Sequence, residues 1–451
     1  KTARILGDII FINISFITAF YLRYMGNIPP RNFNIYYNMI PYISLFTVII
    51  INLYNLYKDQ LKRSAADIFY SFIPISLITV IFTTVLSYFS YAFAFPRSVI
   101  LISFPVMIII MVLWRLGILF MEKRLTSPQK IVIIGNFDET SKILNNIEKS
   151  TNGGFKVKCI IVKEKELTKK QRTKKEDLEV DIYYGFANIR NILKDIKPDN
   201  VFVANGLLEK DKKNILYISL EESWDVSIIP DFYEIILSGA RLEHIGELPV
   251  FELKVEERNE SQVIKRVFDF SIALIGLIVA LPIMIITAVI IKLTSKGPIF
   301  YTQKRMSKMG KRFIVYKFRT MVNNAEKKTG PVLASENDSR ITTIGKFLRK
   351  TRIDELPQLI NVLKGDMSFI GPRPERPHFV NQFENEIPDY KYRHHIKSGI
   401  TGLAQVYGYY SSSPEDKLRL DLLYAHKSSF VFDLKIILQT IKVIFMKDKA
   451  K

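Results

Sequence analysis

The sequence is poor in the residues that build disulfide frameworks and zinc centres. It contains one cysteine, Cys159, and five histidines among 451 residues. A single thiol excludes a disulfide scaffold and any zinc or iron–sulfur site made from cysteines. The pair His394-His395 has no carboxylate at a zinc-binding spacing, so we expect surface or packing roles for both residues.

Acidic residues are also scarce relative to basic ones. The chain has 64 Lys and Arg against 44 Asp and Glu, a formal net charge of +20. It is nonetheless 48% hydrophobic, and its mean hydropathy is +0.11. This composition excludes a disordered or collagen-like chain. The apolar residues of such a charged chain must be concentrated in particular segments.

Four long apolar runs occupy the first 120 residues. They cover residues 5–22, 39–57, 68–92 and 98–120. Because a spanning helix needs about 20 apolar residues, we predict four transmembrane helices within residues 1–125. Lys and Arg are most frequent between the second and third runs and after the fourth. This bias places both ends of the region in the cytoplasm.

The first apolar run contains one acidic residue, Asp8. We expect this carboxylate to lie near the membrane interface, and a functional polar group inside the membrane is the alternative. No small-residue cleavage site follows the run, so we do not interpret it as a signal peptide.

Residues 126–255 alternate between short apolar segments and helical ones. Strands are predicted at 130–136 and near 155–162, 200–204 and 226–231, with a helix over 139–149. This alternation predicts a Rossmann-like parallel α/β domain. The turn after the first strand has only Gly135, where a dinucleotide fingerprint needs several glycines. We therefore expect the fold without nucleotide binding, and a solvated loop over the Lys- and Glu-rich residues 163–180.

A fifth apolar run covers residues 267–291 and is long enough to span a membrane. Pro282 removes a helix hydrogen bond in the middle of the run and bends the helix. The residues that follow are basic and rich in phosphate-binding types. We therefore predict a re-entrant segment, a broad-angle helix–break–helix that returns to the same face, with Lys265, Arg266, Asp269 and Pro282 at the membrane.

The segment Gln303–Arg319 is strongly basic and contains no acid. Its seven cations are Lys304, Arg305, Lys308, Lys311, Arg312, Lys317 and Arg319. The pattern suits anionic lipid headgroups, a pyrophosphate substrate or nucleic acid. Nucleic acid is the weakest of these because the segment directly follows a membrane helix, and a solvated basic face is the alternative to all three.

Two further features favour phosphate chemistry. The acidic pair Asp354-Glu355 precedes Pro357, which is tolerated only in the first turn of a helix, where the helix dipole favours anions. Helix capping is the alternative role of this pair. Arg373 lies between two prolines, and a rigid guanidinium suits bidentate phosphate binding. A plain turn is the alternative there.

Residues 261–451 resemble the catalytic domain of the bacterial polyprenyl-phosphate sugar-1-phosphate transferases, the monotopic phosphoglycosyl transferases that start glycan assembly. The matching stretches follow the family order: 265–269 (KRVFD), 316–321 (YKFRTM), 354–359 (DELPQL), 365–368 (GDMS), 371–375 (GPRPE) and 399–405 (GITGLAQ). The first half of the chain resembles the large members of the family, which have four membrane helices and then a Rossmann-like domain.

Three positions depart from the family pattern. Leu281 stands where the family often has Ser before the proline of the bend. Residues 307–310 read SKMG rather than Gly-x-x-Gly, and Gly408-Tyr409 replaces a frequent Gly-Arg pair. The last change removes an expected phosphate or sugar contact.

The resemblance implies a covalent mechanism. Asp354 would attack the sugar-bearing phosphate of a UDP-sugar and expel UMP, and polyprenyl phosphate would then take the phosphosugar. Glu355 would be a metal ligand or acid–base partner, and both carboxylates would hold Mg²⁺. Further substrate contacts are expected from Arg373, Arg340, Arg319, Lys317 and Gln405.

The resemblance also implies the setting of this reaction. The catalytic domain would lie on the cytoplasmic face of the bacterial inner membrane, in contact with membrane lipids and not with nucleic acid. A homodimer is left open. We expect a hexose donor, glucose or galactose, with sugar specificity in loops such as 322–337 and 406–416.

Two functions of other classes are the alternatives. A membrane-bound nucleotide-sugar oxidoreductase needs a glycine-rich turn and a Tyr-x-x-x-Lys sequence, and neither follows residue 130. A non-catalytic membrane scaffold would leave Asp354-Glu355 and the Gly-Pro-Arg-Pro segment without a purpose.

Overall fold

The computed structural model describes residues 2–58, 63–89, 95–150, 154–164, 168, 171, 178, 180–245, 248–252, 259–322, 338–408 and 413–446. The chain divides into two compact units, Lys1–Asp231 and Phe232–Lys451. Most of the predicted loops 163–180 and 322–337, and residues 409–412 of the predicted loop 406–416, lie outside the described residues.

The first unit begins with four long helices that correspond to the four apolar runs. They are α1 (Thr2–Tyr24), α2 (Pro30–Leu53), α3 (Ala65–Phe89) and α4 (Arg97–Leu125). Helix α1 packs against α2 and α4, and α3 packs against α2 and α4. All four are long and apolar enough to cross a membrane.

Asp8, which we expected near the membrane interface, is buried among the helices. Its carboxylate is fully buried between α1 and α4, where it pairs with Arg115 and accepts a hydrogen bond from Trp114 Nε1 at 3.0 Å. Arg115 is fully buried too, and its Nη1 donates to the Leu56 carbonyl at 3.0 Å. A charge removed from water requires such a partner.

The rest of the first unit is the predicted parallel α/β domain. Its elements are β1 (Gln129–Gly135), α5 (Phe137–Ser150), β2 (Phe155–Val162), β3 (Asp181–Tyr184), α6 (Ile189–Ile196), β4 (Asn200–Val203), α7 (Glu209–Glu221) and β5 (Asp225–Ile228). The strands are all parallel, in the order β3-β2-β1-β4-β5. Apolar clusters flank the sheet, which explains the continuous buried run Ile131–Ile134 in β1. The sequence had not indicated β3.

The start of α5 is where this fold class binds a pyrophosphate. Here the Phe137 N–H donates to the Glu164 carboxylate, at 3.2 Å from Oε1 and 3.3 Å from Oε2. Asp138 and Glu139 add two acids to the first turn of the helix. A Cβ on Gly135 would lie 2.4 Å from the Ala204 Cβ, so packing between β1 and the residue after β4 requires this glycine.

The second unit starts earlier than the predicted boundary near residue 255. Its first helix, α8 (Phe232–Leu237), places Ile235 in an apolar cluster with Tyr390, Leu418 and Leu422. Phe232 also stacks on Tyr392, with 5.1 Å between ring centroids. Residues from 232 onward therefore belong to the second unit, which contains the predicted catalytic domain (the catalytic unit), rather than to the α/β domain.

The remaining elements of the second unit are mostly helical. They are β6 (Arg241–Ile245), β7 (Leu248–Glu252), α9 (Asn259–Thr294), β8 (Phe300–Met306), β9 (Arg312–Phe318), α10 (Thr343–Lys350), α11 (Gln358–Lys364), β10 (Ser368–Ile370), α12 (Pro377–Glu386), β11 (Gly399–Thr401), α13 (Leu403–Tyr407), α14 (Pro414–Lys427) and α15 (Phe430–Phe445). Strands β8 and β9 form an antiparallel hairpin, and β10 and β11 pair in parallel.

Helix α9 contains the fifth apolar run and is also long enough to cross a membrane. It is one helix that includes Pro282, whereas the sequence predicted a helix–break–helix. Prolines lie inside α2, α3 and α4 as well, so a proline alone does not distinguish α9 from those helices. One side of α9 joins the core of the catalytic unit through Ala273, Met284 and Ile291, and the other side is exposed and apolar.

Candidate active site

The acidic pair lies in a short turn between α10 and α11. Arg352 adopts a left-handed conformation at φ 59°, which costs a residue with a side chain about 1–3 kcal/mol. A 3₁₀ turn over Ile353–Glu355 follows, and helical residues lead through Pro357 into α11. The pair therefore precedes the helix by one turn, and the left-handed residue sets the direction in which that turn starts.

Asp354 is buried and incompletely satisfied. Its side chain is 8% exposed, and Oδ1 has no hydrogen-bond partner among the described residues. No described backbone N–H donates to it, so the capping alternative has no support. Burial, aided by the charge of Glu355, raises the pKa of Asp354 to about 6, against the opposing charges of Lys317 and Arg349. Buried groups with perturbed pKa values are typical of functional sites.

Glu355 has the opposite surroundings. Its Oε1 accepts hydrogen bonds from Lys317 Nζ at 2.6 Å and from Arg373 Nη2 at 2.9 Å. Burial alone would raise the pKa of Glu355, but Arg373 and Lys317 hold it well below its usual range. The same pairing raises the pKa of Arg373. Glu355 is therefore a fixed, charged group that holds two cations beside Asp354.

The structure thus brings together four of the predicted site residues and places three others elsewhere. Arg319 donates to the Ser295 and Lys296 carbonyls, at 2.8 and 2.9 Å, just beyond α9. Arg340 makes a bidentate pair with Asp338, at 2.8 and 2.5 Å. Gln405 Nε2 donates to the Ile400 carbonyl at 3.2 Å. Arg319 and Gln405 thus bind backbone carbonyls, and Arg340 binds a carboxylate two residues away. None of these hydrogen bonds involves Asp354 or Glu355.

The residues predicted to meet lipid at the start of α9 face the protein instead. Lys265 Nζ pairs with Asp433 at 2.7 Å. Arg266 donates to the last carbonyls of α11, at 2.6 Å for Val362 and 2.7 Å for Leu363. Asp269 is buried and accepts from Ser368 Oγ at 2.7 Å. The polar flank of the apolar run therefore anchors α9 to the catalytic unit, a role that its charges had not indicated.

Some cations of the basic segment Gln303–Arg319 are exposed, and others bind groups within the protein. Lys304, Lys311 and Arg312 are exposed, as a solvated or headgroup-binding face requires. Lys317 and Arg319 are used within the protein, as described above, and Arg305 donates to the Pro374 carbonyl at 3.0 Å. Only part of the segment is therefore available to an external anion.

The sequence did not indicate the cation at Arg349, near the acidic pair. Arg349, in the last turn of α10, donates through Nε to Thr320 Oγ1 at 2.9 Å. Its charge lowers the pKa of Asp354 against the effect of burial. The only sequence signal was its place in the basic end of a short helix that directly precedes the acidic turn.

An apolar groove of about 160 Å³ adjoins the acidic pair. Side chains of α9 and α10 form its walls, including Ile286, Ile290 and Phe347. Ile353, the residue before Asp354, completes the lining. The groove therefore lies between α9, α10 and the start of the turn that carries the acidic pair.

Few protein groups are available to hold a metal ion. Among the described residues, no cluster of three or more His, Cys, Asp or Glu side chains has metal-binding geometry. Magnesium often takes only one or two carboxylates when substrate phosphates and water supply its other ligands. The unpartnered Oδ1 of Asp354 fits such a role, whereas Glu355 Oε1 already accepts from two cations.

Comparison with known proteins gives matches in both halves of the chain. The model of the bacterial sugar transferase family matches residues 260–447, and that of a CoA-binding domain matches residues 52–221. The UDP-glucose:undecaprenyl-phosphate glucose-1-phosphate transferase of Klebsiella pneumoniae is 32% identical over 334 residues, covering 72% of this chain and 69% of that protein.

Two further relatives match over shorter regions. The UDP-N-acetylgalactosamine-undecaprenyl-phosphate N-acetylgalactosaminephosphotransferase of Aeromonas hydrophila is 42% identical over 217 residues, covering 45% of this chain and 51% of that protein. A UDP-glucose:undecaprenyl-phosphate glucose-1-phosphate transferase of Xanthomonas campestris is 36% identical over 257 residues, 55% of this chain and 53% of that protein. The chain thus spans about half the length of these two relatives. With the extensive Klebsiella match, it belongs to the bacterial sugar transferases, the polyprenyl-phosphate sugar-1-phosphate transferase family that its motifs resemble.

Proposed function

We propose that this protein transfers a sugar 1-phosphate from a UDP-sugar to polyprenyl phosphate and releases UMP. The observation that carries the proposal is the buried Asp354 carboxylate, whose Oδ1 lacks a described partner beside a fixed Glu355–Lys317–Arg373 cluster. Its relatives are named as transferases of sugar phosphates to undecaprenyl phosphate. They use different sugars by name, so the expected hexose donor stays a prediction.

In the first half-reaction a carboxylate oxygen of Asp354 attacks the phosphorus that bears the sugar. A bond forms between this oxygen and phosphorus, and the bond from phosphorus to the bridging oxygen breaks. The electron pair leaves with that oxygen on UMP. A carboxylate is a suitable nucleophile because it is ionised above its pKa of about 6.

In the second half-reaction a phosphate oxygen of the lipid attacks the same phosphorus. The new bond completes a lipid diphosphate sugar, and the bond to Asp354 breaks and regenerates the carboxylate. The apolar groove beside Ile353 supports this step because it gives the hydrocarbon chain of an acceptor a place next to the nucleophile.

The cluster around Glu355 supplies the electrostatics. Arg373 contacts Glu355 through Nη2, and its side chain is 40% exposed. Its other nitrogens can therefore donate to phosphoryl oxygens, whose charge develops in the transition state. Asp354, with Glu355 beside it, would hold Mg²⁺ together with the donor's diphosphate. The ion would neutralise diphosphate charge.

The contacts of α9 support a catalytic unit that stays on one face of the bacterial inner membrane. Arg266 near the start of α9 binds α11, and Arg319 binds the carbonyls just past its end. A helix that crossed the bilayer would carry part of this polar unit through hydrocarbon, at high cost. We propose the cytoplasmic face, where UDP-sugars occur. A Lys292→Cys variant should then be labelled only from the cytoplasmic side of intact cells, and periplasmic labelling would contradict this topology.

The α/β domain is proposed to do no redox chemistry. Glu164 fills the start of α5, and Asp138 and Glu139 repel a further anion there. The diphosphate of a dinucleotide or of coenzyme A does not fit this helix start.

The covalent route has a test that needs no acceptor. The wild-type protein is mixed with a UDP-sugar and Mg²⁺, and UMP and the intact protein mass are measured. One UMP per active enzyme and a mass gain of one phosphosugar are expected. Release of UMP only after polyprenyl phosphate is added would instead indicate direct transfer in a ternary complex.

A further inference from the structure

The segment that carries Arg373 is held by an unusual set of hydrogen bonds. The carbonyls of residues 372–375 each accept from a different residue, and these donors come from three parts of the catalytic unit. Their donors are Gly399 N at 2.9 Å, Arg393 Nη2 at 3.0 Å, Arg305 Nη1 at 3.0 Å and Met306 N at 3.0 Å, in chain order of the acceptors. Pro372 and Pro374 fix their own φ angles and have no N–H. The backbone from which Arg373 projects therefore has little freedom.

Two of these four donors are guanidinium groups rather than backbone amides. Arg393 belongs to the 3₁₀ segment Pro388–His395, and its Nη2 also pairs with Asp421 Oδ2 of α14 at 2.8 Å. Arg393 is 6% exposed and Asp421 is 1% exposed. Arg305, on β8, also approaches Glu375 Oε2 at 3.5 Å.

A buried ion pair such as Arg393–Asp421 is a poor source of stability, because removing both charges from water offsets most of their attraction. Its geometry offers another role. The carboxylate fixes the plane of the guanidinium, which in turn fixes the Arg373 carbonyl. In none of their described contacts do Arg393 and Asp421 meet Asp354 or Glu355, so any effect on the acidic pair must pass through Arg373.

We propose that Arg393, oriented by Asp421, and Arg305 are positioning residues that hold the Arg373 backbone so that its guanidinium meets Glu355. The inference rests on the proposed function for its catalytic consequence. It assigns these residues no contact with donor, acceptor or metal.

The test is a double-mutant cycle on UMP release. Arg393→Lys keeps the charge but loses the planar fork that joins Asp421 to the Arg373 carbonyl. A displacement of about 1 Å at a catalytic group can cost about 100-fold in rate, so a fall in kcat of that order is expected, with KM changed less. The double variant Arg373→Lys/Arg393→Lys should be no slower than Arg373→Lys alone. Arg419→Lys, which alters a pair with Asp416 on the same helix α14, is the matched control and should keep wild-type rates.

Losses that multiply in the double variant, or a wild-type kcat for Arg393→Lys, would overturn the proposal. If Arg393→Lys does not fold, the same cycle with Arg305→Lys, which releases the Pro374 carbonyl, decides the outcome in the same terms. Amide hydrogen exchange of a peptide covering residues 369–378 provides a readout independent of activity. Faster exchange in this segment alone is expected in the variant. If the wild-type protein releases no UMP, the proposed function fails. In that case, unchanged amide hydrogen exchange of residues 369–378 in the variant would contradict the positioning role.

Discussion

Both units of the chain place a carboxylate beside the start of a helix, with different results. In the α/β domain, Glu164 accepts the first N–H of α5 with both oxygens. In the catalytic unit, Asp354 lies one turn before α11 and keeps Oδ1 without a described partner. The first carboxylate occupies the helix start with both oxygens, whereas the second leaves one oxygen without a described partner. Both are carboxylates close to a helix start, so the difference lies in which groups hydrogen-bond to their oxygens.

The largest expected effect comes from Asp354→Asn, which removes the charged oxygen and keeps the shape. We expect UMP release to fall about 1,000-fold or more, as for other nucleophile replacements. The measurement is single-turnover UMP release with UDP-sugar and Mg²⁺. Asp389→Asn, the same change at a half-buried carboxylate of the same unit, should retain the wild-type rate. A phosphosugar adduct on the Asn variant would contradict the nucleophile assignment.

Asp354→Asn should also change how the free energy of unfolding depends on pH. Because the pKa of Asp354 is raised to about 6, the folded protein binds this proton more tightly than the unfolded chain. Its contribution to the free energy of unfolding therefore falls as the pH rises from about 4 to about 6. Asp354→Asn should then be more stable than wild type at pH 7.5, by about 3 kcal/mol, and the difference should shrink at pH 5. A capping role predicts the reverse, a destabilised variant at pH 7.5, in thermal unfolding at the two pH values.

The smallest effect is expected from Glu164→Ala in the α/β domain. Losing this contact at the helix start should lower the free energy of unfolding by about 1 kcal/mol. Calorimetric titration of the full chain with NAD, NADP or coenzyme A should detect no binding before or after the change, because Asp138 and Glu139 remain. Tight binding by the wild-type protein would show that Glu164 moves aside for a ligand.

Local patterns were sufficient to predict much of this molecule. The apolar runs predicted the long helices, and the buried Ile131–Ile134 run predicted a parallel strand. The motif order predicted Asp354, Glu355, Lys317 and Arg373 as site residues, and these four residues do lie together. Each of these inferences depends on neighbours in the sequence or on a known family pattern.

The rest depends on contacts between distant parts of the chain. Arg319 has the charge that phosphate binding needs, but its guanidinium donates to the Ser295 and Lys296 carbonyls just beyond α9. Asp269 has the position of an interfacial residue, but Ser368 and Phe369 enclose it. Charge and hydropathy are the same for a group that meets lipid and one that meets protein. Only the fold decides between them.

The buried pair of Asp8 and Arg115 has a consequence for the order in which the membrane region assembles. Each charge placed alone at the centre of a membrane helix costs about 2.5–3.5 kcal/mol to insert. Asp8 belongs to α1 and Arg115 to α4, so synthesis of the first helix precedes that of its counter-charge by more than a hundred residues. Until α4 has left the ribosome, the Asp8 carboxylate has no counter-charge from Arg115. Packing of α4 against α1 supplies that counter-charge and buries both groups.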